Sequence, residues 1–462
     1  MKFFNELYNL LWGDLFTIHL PGGNSLSISL LVLLLIPSGV YFTVCTKCLP
    51  LRMFKEMLHV ALEKKQTKEE GALSGLQALI VSTATRVGTG NMVGVVAAVS
   101  VGGAGAIFWM WITALIGSST AFIEATLAQL YKEKDPLYGG FRGGPAYYMN
   151  AFLTKGKKHY NLISILFAIS ALVCFSGVSQ VISNSVSSAF ENAFAISPIV
   201  STVLLVAIAA IVVLRKNATV KVLDVIVPIM AIFYFLIALL TIVMNLQLLP
   251  EVFARIIEEA FGIRQIVGGG FGAVLMNGVK RGLFSNEAGS GSAPCAAASA
   301  DVSHPAKAGV FQAFGVLIDT IVICTCTAMI MLLAPQEVIQ GLEGMGLLQA
   351  AMNYHFGYAG VVFTAITLWL FSFSTFVGIL FYARSNVAYL FKDNWLSQNI
   401  YKYFALLMLF IGGLASNEFV WQLGDIGIGL MTIFNLAIII PMSKEALSSL
   451  DDYIEKRKHG LL

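Results

Sequence analysis

The sequence predicts an all-α polytopic membrane protein with about eleven transmembrane helices, two of them broken. Of the 462 residues, 57% are hydrophobic and only 12% are charged, about half the charged share of a soluble protein. Apolar runs of about 20 residues, long enough to cross a bilayer, recur along the whole chain. Two of these runs are interrupted by glycines and polar side chains, which a continuous helix in hydrocarbon does not favour.

The first apolar run predicts an extra transmembrane helix at residues 25–46. Residues 1–24 before it are expected to lie at the membrane interface, because their apolar side chains share one helical face. The basic segment 47–70 is predicted to be a cytoplasmic linker. Later spans are predicted at residues 73–101, 106–131, 162–190, 199–214, 222–244, 266–300, 308–333, 360–390, 401–414 and 419–441, before a cytoplasmic tail at 444–462.

The distribution of lysines and arginines predicts the orientation of the chain. If the spans alternate and the N-terminus lies outside, the outer segments hold only Lys2, Arg255 and Arg264. The other basic residues, apart from three within spans, fall in the inner segments, as the positive-inside rule requires. We therefore predict an outer N-terminus and a cytoplasmic C-terminus.

Without the first span, the remaining spans divide into two sets of five, at residues 71–246 and 247–443. The first span of each set carries the glycine-rich interruption. Because five is an odd number, the second set has the inverted orientation. Interrupted segments at corresponding positions of two inverted repeats are the best sequence indication of a transporter's binding site.

The first interruption reads ATRVGTGNMVG at residues 84–94. Its glycines, Gly88, Gly90 and Gly94, each cost about 1 kcal/mol of helix propensity relative to alanine. A helix that unwinds here exposes carbonyls, which suit a cation, and amides, which suit a carboxylate. This arrangement is typical of transporters that carry a zwitterion with a coupling ion. The alternative is a kinked helix whose small residues allow close packing.

The second interruption covers residues 268–294, where Gly289, Gly291 and Pro294 predict broken backbone near the inner membrane face. Three charges inside it are expensive in hydrocarbon and are expected to line the interior, a cavity or an interface. They are Lys280, Arg281 and Glu287. An ion pair of Glu287 with Arg281 or Lys280 is an equally open interpretation.

Four other ionisable residues lie within apolar spans. Glu124, Asp319 and Asp425 are candidates for proton-relay groups. Arg86 lies inside the first interruption, so we expect an internal ion pair or contacts with carbonyls, with Asp319 as a candidate partner.

Five motifs occur in order along the chain: QALIVSTATRVGTGNMVGV, GGAGAIFWMWITALIG, GGPAYYM, VKRGLFSNEAGSGSAP, and HPAKAG followed by LIDTIVICT. Together they resemble the alanine or glycine:cation symporter family of bacteria and archaea, over about residues 25–443. The resemblance implies a LeuT-type fold of the amino acid–polyamine–organocation superfamily. It also implies co-transported Na⁺, uptake of small neutral amino acids and a plasma-membrane location.

The resemblance further implies a sodium site between the first broken helix and the segment LWLFSFSTFVG. Its expected ligands are the carbonyls of Ala84, Val87 and Phe371 and the hydroxyls of Ser374 and Thr375. Neutral oxygens suit a hard monovalent cation, whereas a transition metal prefers His or Cys. The alternative for both hydroxyls is a bond to their own helix backbone.

For the substrate, the resemblance implies that the carboxylate binds the amides of Thr89, Gly90 and Asn91, assisted by their side chains. The ammonium is expected to bind carbonyls of residues 273–277, helped by the side-chain amide oxygen of Gln180 or Asn184.

The candidates for the side-chain pocket are Met276, Asn277 and Ile379. Alanine-selective members of the family carry tryptophan at the positions of Asn277 and Ile379. The smaller residues here would leave a larger pocket, so glutamine or another larger neutral amino acid is the alternative substrate.

Two other functional classes and one rival carrier on the same fold are alternatives. An intramembrane enzyme needs a nucleophile–base or metal set, and the sequence contains no HExxH motif. A channel filter generally repeats around an oligomeric axis, whereas this repeat is internal and inverted. A proton-coupled carrier is the closest rival, but the hydroxyl pair Ser374 and Thr375 favours sodium. The expected partners are thus sodium, an amino acid and the lipid bilayer, and not nucleic acid.

Overall fold

The computed structural model describes residues 2–19, 25–62, 73–156, 160–215, 218–263 and 271–461. Within these ranges the chain is a helix bundle with two small antiparallel hairpins, which confirms the predicted helical membrane fold. Linker residues 63–70 and residues 266–270 of the seventh predicted span lie outside the described ranges.

The helices of the first half are α1 (Lys2–Trp12), α2 (Leu30–Cys45), α3 (Leu49–Arg52), α4 (Phe54–Leu62), α5 (Gly75–Arg86), α6 (Val95–Gly102), α7 (Gly105–Leu130), α8 (Pro145–Thr154), α9 (Leu162–Phe194), α10 (Pro198–Val213) and α11 (Ala218–Met244). Those of the second half are α12 (Leu249–Ala260), α13 (Phe271–Asn286), α14 (Pro294–Ala298), α15 (Pro305–Val316), α16 (Thr325–Leu332), α17 (Gln336–Ile339), α18 (Met345–Phe356), α19 (Tyr358–Phe391), α20 (Trp395–Gly412) and α21 (Asn417–Lys458). The hairpins pair β1 (Phe16–His19) with β2 (Ser25–Ile28), and β3 (Glu133–Lys134) with β4 (Phe141–Arg142).

Each predicted span has a counterpart among these helices. Among the described residues, six helices are long and apolar enough to cross a membrane, and three shorter helices are also apolar. Two spans consist of two helices separated by a break, α5 with α6 and α13 with α14. A π-helical segment, Leu317–Cys324, joins α15 to α16.

The centre of the bundle is α9, which packs against α19, α20 and α21. Small residues allow the close crossing of α9 and α21, as they commonly do in membranes. A Cβ atom on Gly427 would lie 2.4 Å from the Cα of Cys174, and one on Gly177 would lie 2.5 Å from the amide nitrogen of Gly424. These two helices therefore form one wall of the protein interior.

The bundle has two different ends. One end contains α1, α12, α18 and the hairpin β1–β2, and we call it the hairpin end after β1–β2. The other end contains α4, α8 and the shorter hairpin β3–β4, and we call it the basic end. At the hairpin end, α1 buries Leu11 and Trp12 against α21 and leaves Phe3 exposed. The hairpin β1–β2 lies in a region for which the sequence predicted no strand.

The predicted tail is an extension of α21 rather than a separate segment. The helix continues to Lys458, and contacts near its end explain why. Tyr453 and Arg457 both bind the carboxylate of Glu56 on α4, and Asp452 lies 2.8 Å from Nε2 of His304 at the start of α15. The tail is therefore fixed to the basic end of the bundle.

Candidate substrate and cation site

The first break lies at Val87 and Gly88, inside the predicted interruption. Helix α5 ends at Arg86, and Val87 leaves the helical conformation with ψ near 80°. The side-chain oxygen of Asn91 accepts a hydrogen bond from the Gly88 amide at 2.9 Å, which satisfies a donor that the break would otherwise leave unpaired. A π-helical turn, Gly90–Gly94, then leads into α6.

The second break lies between Asn286 and Pro294. Glu287, Gly289 and Gly291 have φ values of 59°, 95° and 81°, in the left-handed region that ends a helix. This confirms the break predicted from Gly289, Gly291 and Pro294. The expectation that residues 273–277 supply open carbonyls is wrong, because they lie inside the continuous helix α13.

Oxygen atoms of α5 and α19 converge beside the first break. The hydroxyl of Ser374 lies 3.5 Å from the carbonyl oxygen of Ala84 and 2.8 Å from that of Phe371. The hydroxyl of Thr375 lies 2.9 Å from the Phe371 carbonyl and 3.5 Å from that of Thr85. Both hydroxyls thus bond to their own helix and also face α5.

Val87, the remaining predicted ligand, caps α5 next to Gly88. A Cβ atom on Gly88 would lie 1.8 Å from the hydroxyl oxygen of Thr375 and 3.1 Å from the carbonyl oxygen of Phe371. Only glycine allows the first break to approach α19 this closely. Four of the five predicted cation ligands therefore lie in direct contact, with Val87 at the edge of the group.

A cavity of about 30 Å³ lies between the two breaks. Thr89 and Gly90 line it from the first break, and Glu287 and Ser292 from the second. Its other walls come from α9, α19 and α21. A cavity of this volume holds about two water molecules, so the walls must move apart to admit an amino acid.

Three of the predicted site residues line this cavity: Thr89, Gly90 and Ile379, together with the predicted ligand Thr375. Asn91 lies close by, but its side chain is engaged elsewhere. The side-chain nitrogen of Asn91 donates to the Asp319 carboxylate at 2.8 Å and lies 3.3 Å from the hydroxyl of Ser285. The side chain of Asn91 therefore shapes the break and does not point into the cavity.

Gln180 and Asn184 are not among the residues that line the cavity. The side-chain nitrogen of Asn184 donates to the carbonyl of Ala415 at 2.8 Å, and that of Gln180 lies 3.4 Å from the sulfur of Met408. Both side chains point towards α20, because a glycine at position 412 lets this helix approach the Gln180 backbone closely.

Met276 and Asn277 also lie away from the cavity. Asn277 donates to the Ala273 carbonyl of its own helix at 2.8 Å and packs near Gly102 of α6. It precedes Glu287 by ten residues, a distance of about 15 Å along a helix. Both residues were candidates for the side-chain pocket, but they lie within α13, which is continuous as far as Asn286.

Glu287 lines the cavity, one of the positions expected for it, although the sequence did not single it out as a site residue. Sequence reasoning missed the α21 wall, formed by Ile428 and Met431. The open interpretation that Glu287 pairs with Lys280 or Arg281 is wrong. Its carboxylate instead accepts a hydrogen bond from the Ser292 hydroxyl at 2.8 Å. An acidic residue two positions before the glycines of a break was the available signal.

Lys280 and Arg281 form ion pairs with Asp425 of α21. Asp425, a candidate for a proton-relay group, is thus an ion-pair partner in this structure. Arg281 contacts both carboxylate oxygens of Asp425 at 3.1 Å, and Lys280 lies 3.3 Å from one of them. The Arg281 guanidinium also lies 3.8 Å above the Trp421 ring. This cluster separates the central cavity from a vestibule of about 540 Å³ at the hairpin end.

The N-terminal helix α1 contacts the same cluster. Tyr8 accepts a hydrogen bond from Lys280 at 2.7 Å, and the indole of Trp12 donates to the backbone carbonyl of Asp425 at 2.9 Å. Helix α1 thereby touches both α13 and α21 where they face the vestibule.

Arg86 has no ion pair with Asp319 in the described part of the chain. Its guanidinium instead lies 3.0 Å from the side-chain oxygen of Gln312. The buried Asp319 carboxylate is held by Asn91, Ser285 and Thr320 at 2.8–2.9 Å.

Glu124 helps to hold the second break in place through Asn435. The side-chain nitrogen of Asn435 donates to Glu124 at 2.6 Å and to the Gly289 carbonyl at 3.0 Å. Tyr148 of α8 binds the side-chain oxygen of the same Asn435. A proton-relay role for Glu124 or Asp319 remains a prediction.

The model of the sodium:alanine symporter family matches residues 18–462. The chain belongs to this family. It is 44% identical to the probable sodium/glutamine symporter GlnT of Bacillus subtilis, over 93% of this chain and 89% of the relative. It is 34% identical to the sodium/alanine symporter AgcS of Methanococcus maripaludis, over 93% and 95%.

Solved structures share the fold. The structure of MhsT in complex with L-phenylalanine matches with a TM-score of 0.57 at 13% identity, over 84% of this chain and 93% of that one. The manganese transporter of Eremococcus coleocola matches with a TM-score of 0.51 at 14% identity, over 82% and 78%. The fold is therefore the LeuT type, with two broken helices. As a member of its family, the chain is a multi-pass membrane symporter of sodium and a small amino acid.

Proposed function

We propose that this chain imports alanine or glycine together with Na⁺ across the plasma membrane of a bacterium or archaeon. The observation that carries the proposal is the convergence of backbone carbonyls and the two hydroxyls of Ser374 and Thr375 at the first break. The hairpin end faces outwards and the basic end faces the cytoplasm, in accordance with the positive-inside rule.

In this proposal Na⁺ binds the carbonyls of Ala84, Val87 and Phe371 and the hydroxyls of Ser374 and Thr375. All five ligands are neutral oxygens, which suit a hard monovalent cation. Because these ligands belong to both α5 and α19, the bound ion draws the first break towards α19. Sodium then stabilises the backbone that binds the substrate, and substrate stabilises the sodium site by the same factor.

The substrate carboxylate binds the amides of Thr89 and Gly90, at the start of the turn that leads into α6. At Thr89 it takes the place of the Thr375 hydroxyl, which lies 3.3 Å from the amide nitrogen in this structure. Amides at the beginning of a helix favour an anion. Gly90 packs against the end of α13, since a Cβ atom there would lie 3.0 Å from the Cα of Ser285. The absence of a side chain at Gly90 therefore lets the first break pack directly against the end of α13.

Glutamine is the second candidate substrate, and two observations favour it. Ile379 lines the cavity where alanine-selective members carry tryptophan. The probable sodium/glutamine symporter of Bacillus subtilis is also a relative of high identity, at 44%. The flexible side chain of Met431 on the opposite wall can move to admit a longer substrate.

Uptake of radiolabelled alanine and glutamine into proteoliposomes tests the proposal. We expect alanine to accumulate only with an inward sodium gradient. Sodium-driven glutamine uptake with weak alanine uptake would mean that glutamine is the substrate and that the sodium-coupled mechanism is correct. Accumulation driven by a pH gradient without sodium would overturn the sodium assignment.

The sodium site predicts a specific effect of two substitutions on α19. We expect Ser374→Ala and Thr375→Ala each to raise the sodium concentration for half-maximal uptake about tenfold, since each loses one ligand, at roughly 1.4 kcal/mol. Sodium titration of uptake measures this change. Thr364→Ala is the matched control, because the buried Thr364 hydroxyl bonds to the Gly360 carbonyl of its own helix, at 2.8 Å, and to no other group in the described part of the chain. An unchanged sodium dependence in both variants would contradict the site.

A further inference from the structure

Glu287 differs from the other residues that line the central cavity because its side chain ends in a carboxyl group. It adopts a left-handed conformation, with φ of 59°, which a residue with a side chain rarely adopts. This conformation lets the side chain leave the helix at the break and reach the cavity. The Ser292 hydroxyl holds one carboxylate oxygen at 2.8 Å.

Within the described residues, no cationic side chain forms an ion pair with Glu287. Lys280 and Arg281 are held by Asp425, at 3.3 and 3.1 Å. Arg86 donates one guanidinium nitrogen to Gln312 at 3.0 Å, and its Nε and other terminal nitrogen have no hydrogen-bond partner among the described residues. It acts on Glu287 through its electrostatic field and not through an ion pair. A buried carboxylate without a paired cation is unfavourable, so this position favours a positively charged group from a ligand.

The two nearby carboxylates are engaged in a different way. Asp319 accepts three hydrogen bonds from side chains, and Glu124 is bound to Asn435. Neither lines the cavity. Glu287 is therefore the acidic group that a ligand in the cavity can reach.

We propose that Glu287 binds the α-ammonium group of the amino-acid substrate. This inference rests on the proposed function, in which the substrate carboxylate binds Thr89 and Gly90 on the facing wall. The two breaks then match the two charges of a zwitterion, with backbone amides on one side and a carboxylate on the other. The site selects α-amino acids against carboxylic acids that lack the ammonium, because such acids leave Glu287 buried and unpaired.

The experiment compares alanine with lactate, which has a hydroxyl in place of the ammonium. Radiolabelled alanine is bound to the full chain in detergent, and lactate is added as a competitor. The ratio of the two affinities measures how well the site distinguishes alanine from lactate. We expect the wild-type chain to prefer alanine by at least about 100-fold. Glu287→Gln should weaken alanine binding by about 100-fold and bring the preference for alanine over lactate close to one.

Glu124→Gln is the matched control, because it removes a buried carboxylate that supports the second break without lining the cavity. It should leave the ratio of alanine to lactate affinity unchanged, even if both affinities fall. Stabilisation by sodium, measured as a thermal shift, should persist in Glu287→Gln. A Glu287→Gln variant that retains the wild-type preference for alanine would overturn the inference.

Two further results complete the test. If Glu287→Gln does not fold, Glu287→Asp decides: it should preserve the preference for alanine and bind alanine at least about tenfold more weakly. An unchanged alanine affinity in Glu287→Asp would overturn the inference. A wild-type chain that takes up neither alanine nor glutamine with sodium would contradict the proposed function itself, which is a distinguishable failure.

Discussion

Gly88→Ala is expected to abolish sodium-driven uptake. A Cβ atom at this position would lie 1.8 Å from the hydroxyl oxygen of Thr375 and 3.1 Å from the carbonyl oxygen of Phe371. Both atoms belong to the proposed sodium site, and the first contact is far shorter than van der Waals distance. Either the first break or α19 must move, and the ligand oxygens then separate. Uptake into proteoliposomes and sodium-dependent thermal stabilisation measure the loss.

Gly94→Ala is the control for this substitution. The nearest atom to its added methyl group would be a ring carbon of Phe284 at 3.7 Å, an ordinary contact. We expect uptake by Gly94→Ala to resemble that of the wild-type chain. A Gly88→Ala variant with normal sodium dependence would show that the cation binds elsewhere.

Asp425→Ala is expected to destabilise the protein by about 3–5 kcal/mol, because it leaves two buried cations without their partner. Asp425 and the side chains of Lys280 and Arg281 are almost completely buried. Unfolding by heat or denaturant in detergent measures the change. The same substitution should also open the cluster between the central cavity and the vestibule.

Two comparisons distinguish the loss of the ion pair from the effect of any substitution on α21. Glu418→Ala removes an exposed carboxylate from the same helix and should change stability by less than about 0.5 kcal/mol. Arg281→Met combined with Asp425→Leu should cost less than the sum of the single substitutions, because the pair is lost as a unit. Additive losses would mean that the two side chains do not interact.

Glycine and proline made both breaks predictable from the sequence. Gly88, Gly289, Gly291 and Pro294 mark positions where a helix in hydrocarbon pays an intrinsic cost, so their presence inside apolar spans carries information. The alternation of the spans came instead from the apolar runs and the basic residues, and the bounds of the two sets of five remain a prediction. The predicted sodium ligands came from the family resemblance, and α5 and α19 do bring their oxygens together.

Side-chain partners were less predictable because they depend on contacts far apart in the sequence. Arg281 and Asp425 are separated by 144 positions, and no local pattern links them. The direction of Asn184 depends on α20, which is more than 200 residues away. Residues 273–277 lie in the same glycine-rich stretch as the break, so the sequence did not show that their carbonyls are closed by the continuous helix α13.

The length of α21 has a mechanical consequence. Asp425 and Tyr453 lie on the same helix, 28 residues or about 42 Å apart. If α21 tilts as a rigid rod by about 5° around Asp425, Tyr453 is displaced by about 4 Å. The helix can thus act as a lever between the ion cluster and the Glu56 contact at the basic end. Pro441, inside the helix, is the position where such a lever would bend.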